Sequence, residues 1–126
     1  MKPRILLVDD EADIRGIMSF ILAPIYDVTI SACSDEAIRR YEDARLAKTP
    51  FDLLILDIAM AEKSGLKVGE HVRESGDLET KIVFHTGYDR VMNKMGAEDL
   101  GAVAYWVKPL TADVILSDLE RIFNAR

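Results

Sequence analysis

The stretch Ile5-Leu6-Leu7-Val8-Asp9-Asp10-Glu11 decides how the chain is read. Four apolar residues stand in a row without polar alternation, and three acids end the run at once. A short unbroken apolar run of this kind suits a strand covered on both faces, as in a parallel sheet. The form returns in Leu53-Leu54-Ile55-Leu56, followed by Asp57. Further apolar runs are Val28-Thr29-Ile30, Ile82-Val83-Phe84 and Val103-Ala104-Tyr105-Trp106-Val107.

Segments with helical spacing lie between these runs. Ile14, Ile17, Met18, Ile21 and Leu22 make one stripe, closed by Pro24. A second helix is expected from Ser34, taken as its N-cap, with Ala37, Ile38, Tyr41 and Ala44 on one face; Pro50 keeps it out of the next strand. A third runs from Leu66 to Glu74, and a fourth from Arg90 to Leu100, with Gly101 as its stop. The fifth begins at the cap candidate Thr111 and presents Ile115, Leu119, Ile122 and Phe123. Strand and helix therefore alternate five times. That pattern predicts an α/β fold, a five-stranded parallel sheet with helices on both faces, joined by right-handed crossovers.

Residues 1–126 suit one domain, since roughly 100–200 residues make a domain, and such a chain needs no disulfide or metal staple. The single cysteine, Cys33, excludes an intrachain disulfide and points to a reducing, cytoplasmic setting. Cys33 itself is expected as a small buried or half-buried hydrophobe. No apolar run approaches the roughly 20 residues of a membrane span, and the start of the chain is too short in apolar residues for a signal peptide. A formal charge of −6 disfavours direct nucleic-acid binding, which draws on clustered Lys and Arg.

In open parallel sheets ligands sit beyond the carboxyl ends of the strands. Asp9, Asp10 and Glu11 follow the first strand, Asp57 the third, His85, Thr86 and Gly87 the fourth, and Lys108 and Pro109 the fifth. Carboxylates brought together from separate strands repel one another unless a cation joins them. Oxygen ligands select a hard divalent ion, and Mg²⁺ commonly takes only one or two carboxylates and keeps several waters. A carboxylate beside such an ion can act as a nucleophile toward phosphorus. That transfer needs positioning and charge neutralisation, for which Lys108 offers an ammonium and Thr86 a hydroxyl.

The strings Leu7-Val8-Asp9-Asp10-Glu11, Leu54-Ile55-Leu56-Asp57-Ile58-Ala59-Met60, Thr86-Gly87 and Tyr105-Trp106-Val107-Lys108-Pro109, with Gly65 eight residues after Asp57, resemble the receiver domain of two-component response regulators over essentially the whole chain. The resemblance implies the flavodoxin-like strand order 2-1-3-4-5. It implies Asp57 as phosphoacceptor, with the phosphoryl group coming from a sensor histidine kinase or a histidine phosphotransfer protein. Asp10 and Asp57 would ligate Mg²⁺ directly, Asp9 largely through water, and Ala59 through its backbone carbonyl. Thr86 and Lys108 would bind phosphoryl oxygens, Thr86 and Tyr105 would be the switch pair, and the Lys108–Pro109 bond would be cis. Ala59 and Tyr88 occupy the two variable positions that tune dephosphorylation. The output would go to a downstream protein partner or an effector domain, with a homodimer through the fourth helix, fifth strand and fifth helix as one form. The family's proline after Met60 is replaced by Ala61, which leaves the catalytic set intact.

Each feature alone has a plainer reading. Asp9-Asp10-Glu11 fits an acidic helix start, and Asp57, Thr86-Gly87 and Lys108-Pro109 each fit a turn. Together, each at the end of its own strand, they point to a site. His85 reads as a packed strand residue, His71 as a solvated helix residue, Trp106, Met92 and Met95 as core, and Tyr105 as packed aromatic or switch. A phosphatase of the haloacid dehalogenase type needs a second aspartate two residues after its nucleophile, where this chain has Glu11 or Ala12. A nucleotide-binding domain needs a glycine-rich loop after the first strand, which is missing. The remaining alternative is a phosphorylation-independent interaction module of receiver type, which the complete acid, threonine and lysine set disfavours.

Overall fold

The apolar runs do become strands: β1 (Arg4–Val8), β2 (Asp27–Ser31), β3 (Leu53–Leu56), β4 (Lys81–Thr86) and β5 (Ala104–Val107). The computed structural model describes residues 2–60, 65–87 and 91–125, with the side chains of 91–93 also outside the description. The strands form one parallel sheet in the order β2-β1-β3-β4-β5. Among the described residues five helices alternate with them: α1 (Ala12–Leu22), α2 (Ser34–Leu46), α3 (Gly65–Glu74), α4 (Val91–Asp99) and α5 (Ala112–Asn124).

Successive strand residues point to opposite faces, which is why the runs are apolar throughout. Ile5, Leu7, Leu53, Ile55, Val83 and Trp106 face α1 and α5, packing on Met18, Leu22, Ile115 and Leu119. Leu6, Val8, Leu54, Leu56, Ile82 and Phe84 face the other way, onto Ala37 and Tyr41 of α2, Val68 and Val72 of α3 and Ala97 of α4. Each fully buried Leu or Ile contributes about 1.5–3 kcal/mol. A two-sided core therefore follows directly from an unalternating strand.

Thr111 caps α5 as its position suggests, its side chain accepting from the Val114 N–H at 3.3 Å. Gly101 stands at φ +69° behind α4, the left-handed conformation that lets a chain leave a helix. Lys48 does the same behind α2 at φ 61°, with Thr49 N–H donating to the Ala44 carbonyl.

Several sequence expectations need correction. Ser34 is the first residue of α2, 3% exposed, and Cys33 is the N-cap, so the cysteine is exposed rather than buried. Ile17 lies on the flank of the α1 stripe and is 56% exposed, because the stripe it was assigned to is wider than the sheet edge that covers it. Met95 is also exposed, whereas Ala97 of α4 is buried in the core; the side chain of Met92 lies outside the described residues. His85 and Thr86 do not follow β4 but end it, paired with Trp106 and Val107. His71 is half-exposed but bonded to Glu42 of α2 at 2.8 Å. No helix among the described residues is long and apolar enough to cross a membrane.

Candidate functional site

Parallel register sets the site. Val8 pairs with Leu56 and Leu56 with Phe84, so the next row holds Asp9, Asp57 and His85 side by side. Asp9 and Asp57 are buried, at 1% and 3% exposure, while Asp10 and Glu11 are exposed. One carboxylate oxygen from each of Asp9, Asp10, Glu11 and Asp57 lies within 4.8 Å of the others. The loop is shaped by its own side chains: Asp9 Oδ1 accepts from the Glu11 N–H at 2.9 Å, and Asp57 Oδ1 accepts from the Ala59 N–H at 3.0 Å.

Lys108 closes the cluster from β5. Its Nζ donates to Asp9 Oδ2 at 2.8 Å and to Asp57 Oδ2 at 3.3 Å, and lies 3.6 Å from Glu11 Oε1. The Lys108 N–H donates to the Thr86 carbonyl, which sets lysine and threonine next to each other. Thr86 is fully buried. The Lys108–Pro109 peptide bond is cis. Tyr105 is half-buried, packed on the α2–α3–α4 side of the sheet. Ala59 is exposed at the mouth of the cluster. Ala61 and Tyr88 lie outside the described residues.

The electrostatics are those of a site short of positive charge. Burial pushes the Asp57 carboxyl above its ordinary value, and the Asp9 charge adds to this. The Ala59 hydrogen bond and the Lys108 ammonium pull it back without cancelling the rise. For Lys108, burial works against the charge, but the hydrogen bond to Asp9 and the Asp57 and Asp9 charges outweigh it, so its pKa is raised and it stays an ammonium. His85 is held neutral, its pKa lowered to about 4 by burial and by Lys108, with Asp9 partly opposing.

The all-oxygen, tightly grouped donor set fits a hard divalent ion of the Mg²⁺ class. Arg15 escapes the sequence reading, and Glu11, named there among the strand-end acids, gains a partner. Glu11 joins the cluster through Lys108, and Arg15 donates from Nη1 to the Asp9 carbonyl at 2.9 Å, tying the acid loop to α1. Arg15 stands six residues after Asp9 and is the fourth residue of α1, so the first turn of the helix brings it back over the loop.

Gly65 explains how closely α3 approaches the site. Its N–H donates to the Asp57 carbonyl at 2.8 Å. A Cβ there would lie 2.6 Å from that same oxygen and 2.9 Å from Leu56 Cβ, so only glycine permits the contact.

The model of the response regulator receiver domain matches residues 5–120. The transcriptional regulatory protein DltR of Streptococcus agalactiae is 36% identical over 115 residues, covering 90% of this chain and 49% of that protein. The transcriptional regulatory protein TrcR of Mycobacterium tuberculosis is 32% identical, over 96% of this chain and 45% of that one. The chain thus spans about half the length of these curated relatives. Among solved structures, the chemotaxis protein CheY4 of Vibrio cholerae superposes with a TM-score of 0.85 at 29% identity, covering 97% of this chain and 99% of that one. The response regulator TrrA of Thermotoga maritima, solved in complex with Mg²⁺ and BeF, gives 0.79 at 29% identity, with coverage of 97% and 99%.

Proposed function

This chain belongs to the response regulator receiver family, a family of signalling domains that work through phosphorylation, and from that premise we propose that Asp57 is its phosphoacceptor. Residues 1–126 act as one receiver unit. The observation that supports this most is the Asp57 carboxylate: buried, raised in pKa, and facing both Asp9 and the Lys108 ammonium at 3.3 Å. A carboxylate so poorly supplied with donors is prepared for a partner that brings cationic charge with it.

In the transfer, an Asp57 carboxylate oxygen bonds to phosphorus as the P–N bond of a donor phosphohistidine breaks. The leaving imidazole keeps the electron pair and takes a proton from solvent. Lys108 binds a phosphoryl oxygen as its contact with Asp57 is released, and the Thr86 hydroxyl binds another. Mg²⁺, held by Asp10 and Asp57 directly, by Asp9 largely through water and by the Ala59 carbonyl, would neutralise the phosphoryl charge. The response is a shift between pre-existing states, biased by contacts only the phosphorylated site makes. Thr86 moves toward the phosphate and Tyr105 follows it inward.

The donor is a sensor histidine kinase or a histidine phosphotransfer protein. The recipient of the signal is a protein partner or an effector domain, reached through α4, β5 and α5, with a homodimer on that face as one form. The setting is cytoplasmic. Ala59 has no polar side chain to orient an attacking water, and with Tyr88 it favours a long-lived acyl phosphate. Incubation with acetyl phosphate and Mg²⁺ should add one phosphoryl group, seen as an intact-mass increment. Asp57→Asn should abolish it, and undiminished labelling of that variant would refute the assignment.

A further inference from the structure

One position past the Leu56–Phe84 pair of β3 and β4 come Asp57 and His85, and His85 pairs with Trp106 of β5. Trp106 packs toward α1 and α5, and its pairing with His85 puts the imidazole on that same face, opposite Tyr105. His85 is 5% exposed, and its buried Nδ1 has no hydrogen-bond partner. A buried polar atom left unpaired is costly, and in native proteins such an atom calls for an explanation. The imidazole meets the Trp106 indole edge-on, with ring centroids 6.0 Å apart at 77°. The indole Nε1–H in turn donates to Asp118 Oδ2 of α5 at 2.6 Å, and Asp118 Oδ1 accepts from Arg121. Contacts therefore run from His85 through Trp106 to the outer face of α5, where Asp113, Val114, Ser117, Asp118 and Arg121 line a shallow groove, and at the inner end the Lys108 and Asp9 charges reach His85.

We propose that the row Asp57–His85–Trp106–Asp118 is a second signalling route, on the opposite side of the sheet from Thr86 and Tyr105, that reports the state of Asp57 to the outer face of α5. It rests on the phosphoacceptor reading above. In the unmodified site, Lys108 is shared between Asp9 and Asp57, and its charge faces a neutral imidazole. A phosphoryl group on Asp57 draws Lys108 to its own oxygens and puts new negative charge beside His85. The unpaired Nδ1 gives that ring a hydrogen-bonding position to gain by turning. Turning it changes the edge on which Trp106 packs, and Trp106 is pinned at its far end to Asp118.

Trp106 is the chain's single tryptophan, so one indole N–H resonance and one emission spectrum read the middle of the route. The probe is beryllofluoride with Mg²⁺, a phosphoryl mimic, on the full chain. In the wild type, the indole resonance and the backbone amides of residues 117–121 should move. His85→Phe keeps an aromatic ring but has no ring nitrogen; it should still label at Asp57 with acetyl phosphate, while the indole shift falls by at least about half. Asp118→Asn keeps an oxygen to accept the indole N–H; it should keep the indole shift and lose the response at 117–121. Tyr105→Ala should leave the indole shift intact. An unchanged indole shift in His85→Phe, or its loss in Tyr105→Ala, would overturn the second route. If wild-type Asp57 labels but the indole does not respond, the route fails alone. If Asp57 does not label, the phosphoacceptor reading fails and the route with it.

Discussion

Two aspartates at opposite ends of the sheet show how one side chain serves two purposes. Asp77, in the α3–β4 turn, is surrounded by donors. Its Oδ1 accepts from the Glu79 and Thr80 N–H groups at 3.0 Å, and its Oδ2 from the Tyr41 hydroxyl at 2.7 Å and from the Thr80 hydroxyl. Burial works against its charge, but the donors win and its pKa falls to about 2. Arg45 and Ser75 complete the network around the fully buried Tyr41, and Arg73 ties the turn to the end of α4 through the Leu100 carbonyl. Among the described residues Asp57 has only the Ala59 N–H and a shared lysine as donors to its carboxylate, and its pKa rises. A satisfied carboxylate holds the fold together, whereas an unsatisfied one is held in readiness by the fold.

The comparison predicts substitutions of opposite sign. Asp57→Asn should have the largest effect on function, removing all phosphoryl labelling, yet should raise the melting temperature at neutral pH without Mg²⁺. The sign follows from linkage. A carboxyl whose folded pKa is raised favours folding at low pH, and that contribution is lost as pH rises from the ordinary value of 3.8 through the folded value. Asp77→Asn should do the reverse. Its depressed pKa gives stability that is full above 3.8 and lost as pH falls toward 2. The variant should lose about 1 kcal/mol at pH 7 after solvent screening is allowed for, and should unfold with less acid sensitivity in that window. Melting curves across pH check both. Equal signs for the two variants would break the comparison.

Gly65→Ala sharpens it from the backbone side. The added methyl meets the Asp57 carbonyl at 2.6 Å, so α3 must withdraw at a cost of about 1–3 kcal/mol, and labelling should slow because Asp57 is displaced. Chemical denaturation and a labelling time course measure the two losses. The smallest effect is expected at Lys48→Gly, which relieves a left-handed residue far from the site. It should add about 0.5 kcal/mol and leave labelling unchanged.

The site was legible because its residues terminate strands. Asp9, Asp57 and Lys108 follow directly on apolar runs, and in a parallel sheet all such positions fall on one edge. The Asp77 network was not legible, since Tyr41, Arg45, Ser75 and Thr80 meet only when α2 packs against α3. Cys33 was misjudged because burial at a helix start depends on which residue turns inward, and Ser34 does so. Ile17 failed for a related reason: helical spacing defines a stripe but not how far the neighbouring sheet extends beneath it. Arg15 and Glu11 sat in view, yet their roles need the fold of the loop to appear.

The central claim is that one carboxylate of the four is the acceptor. Borohydride reduction of the protein, after incubation with acetyl phosphate and Mg²⁺, converts an aspartyl phosphate to homoserine, and peptide mass mapping locates it. The account predicts homoserine at position 57 and at no other position. Homoserine at 9 or 10, or none in a protein that has gained phosphate, would contradict it.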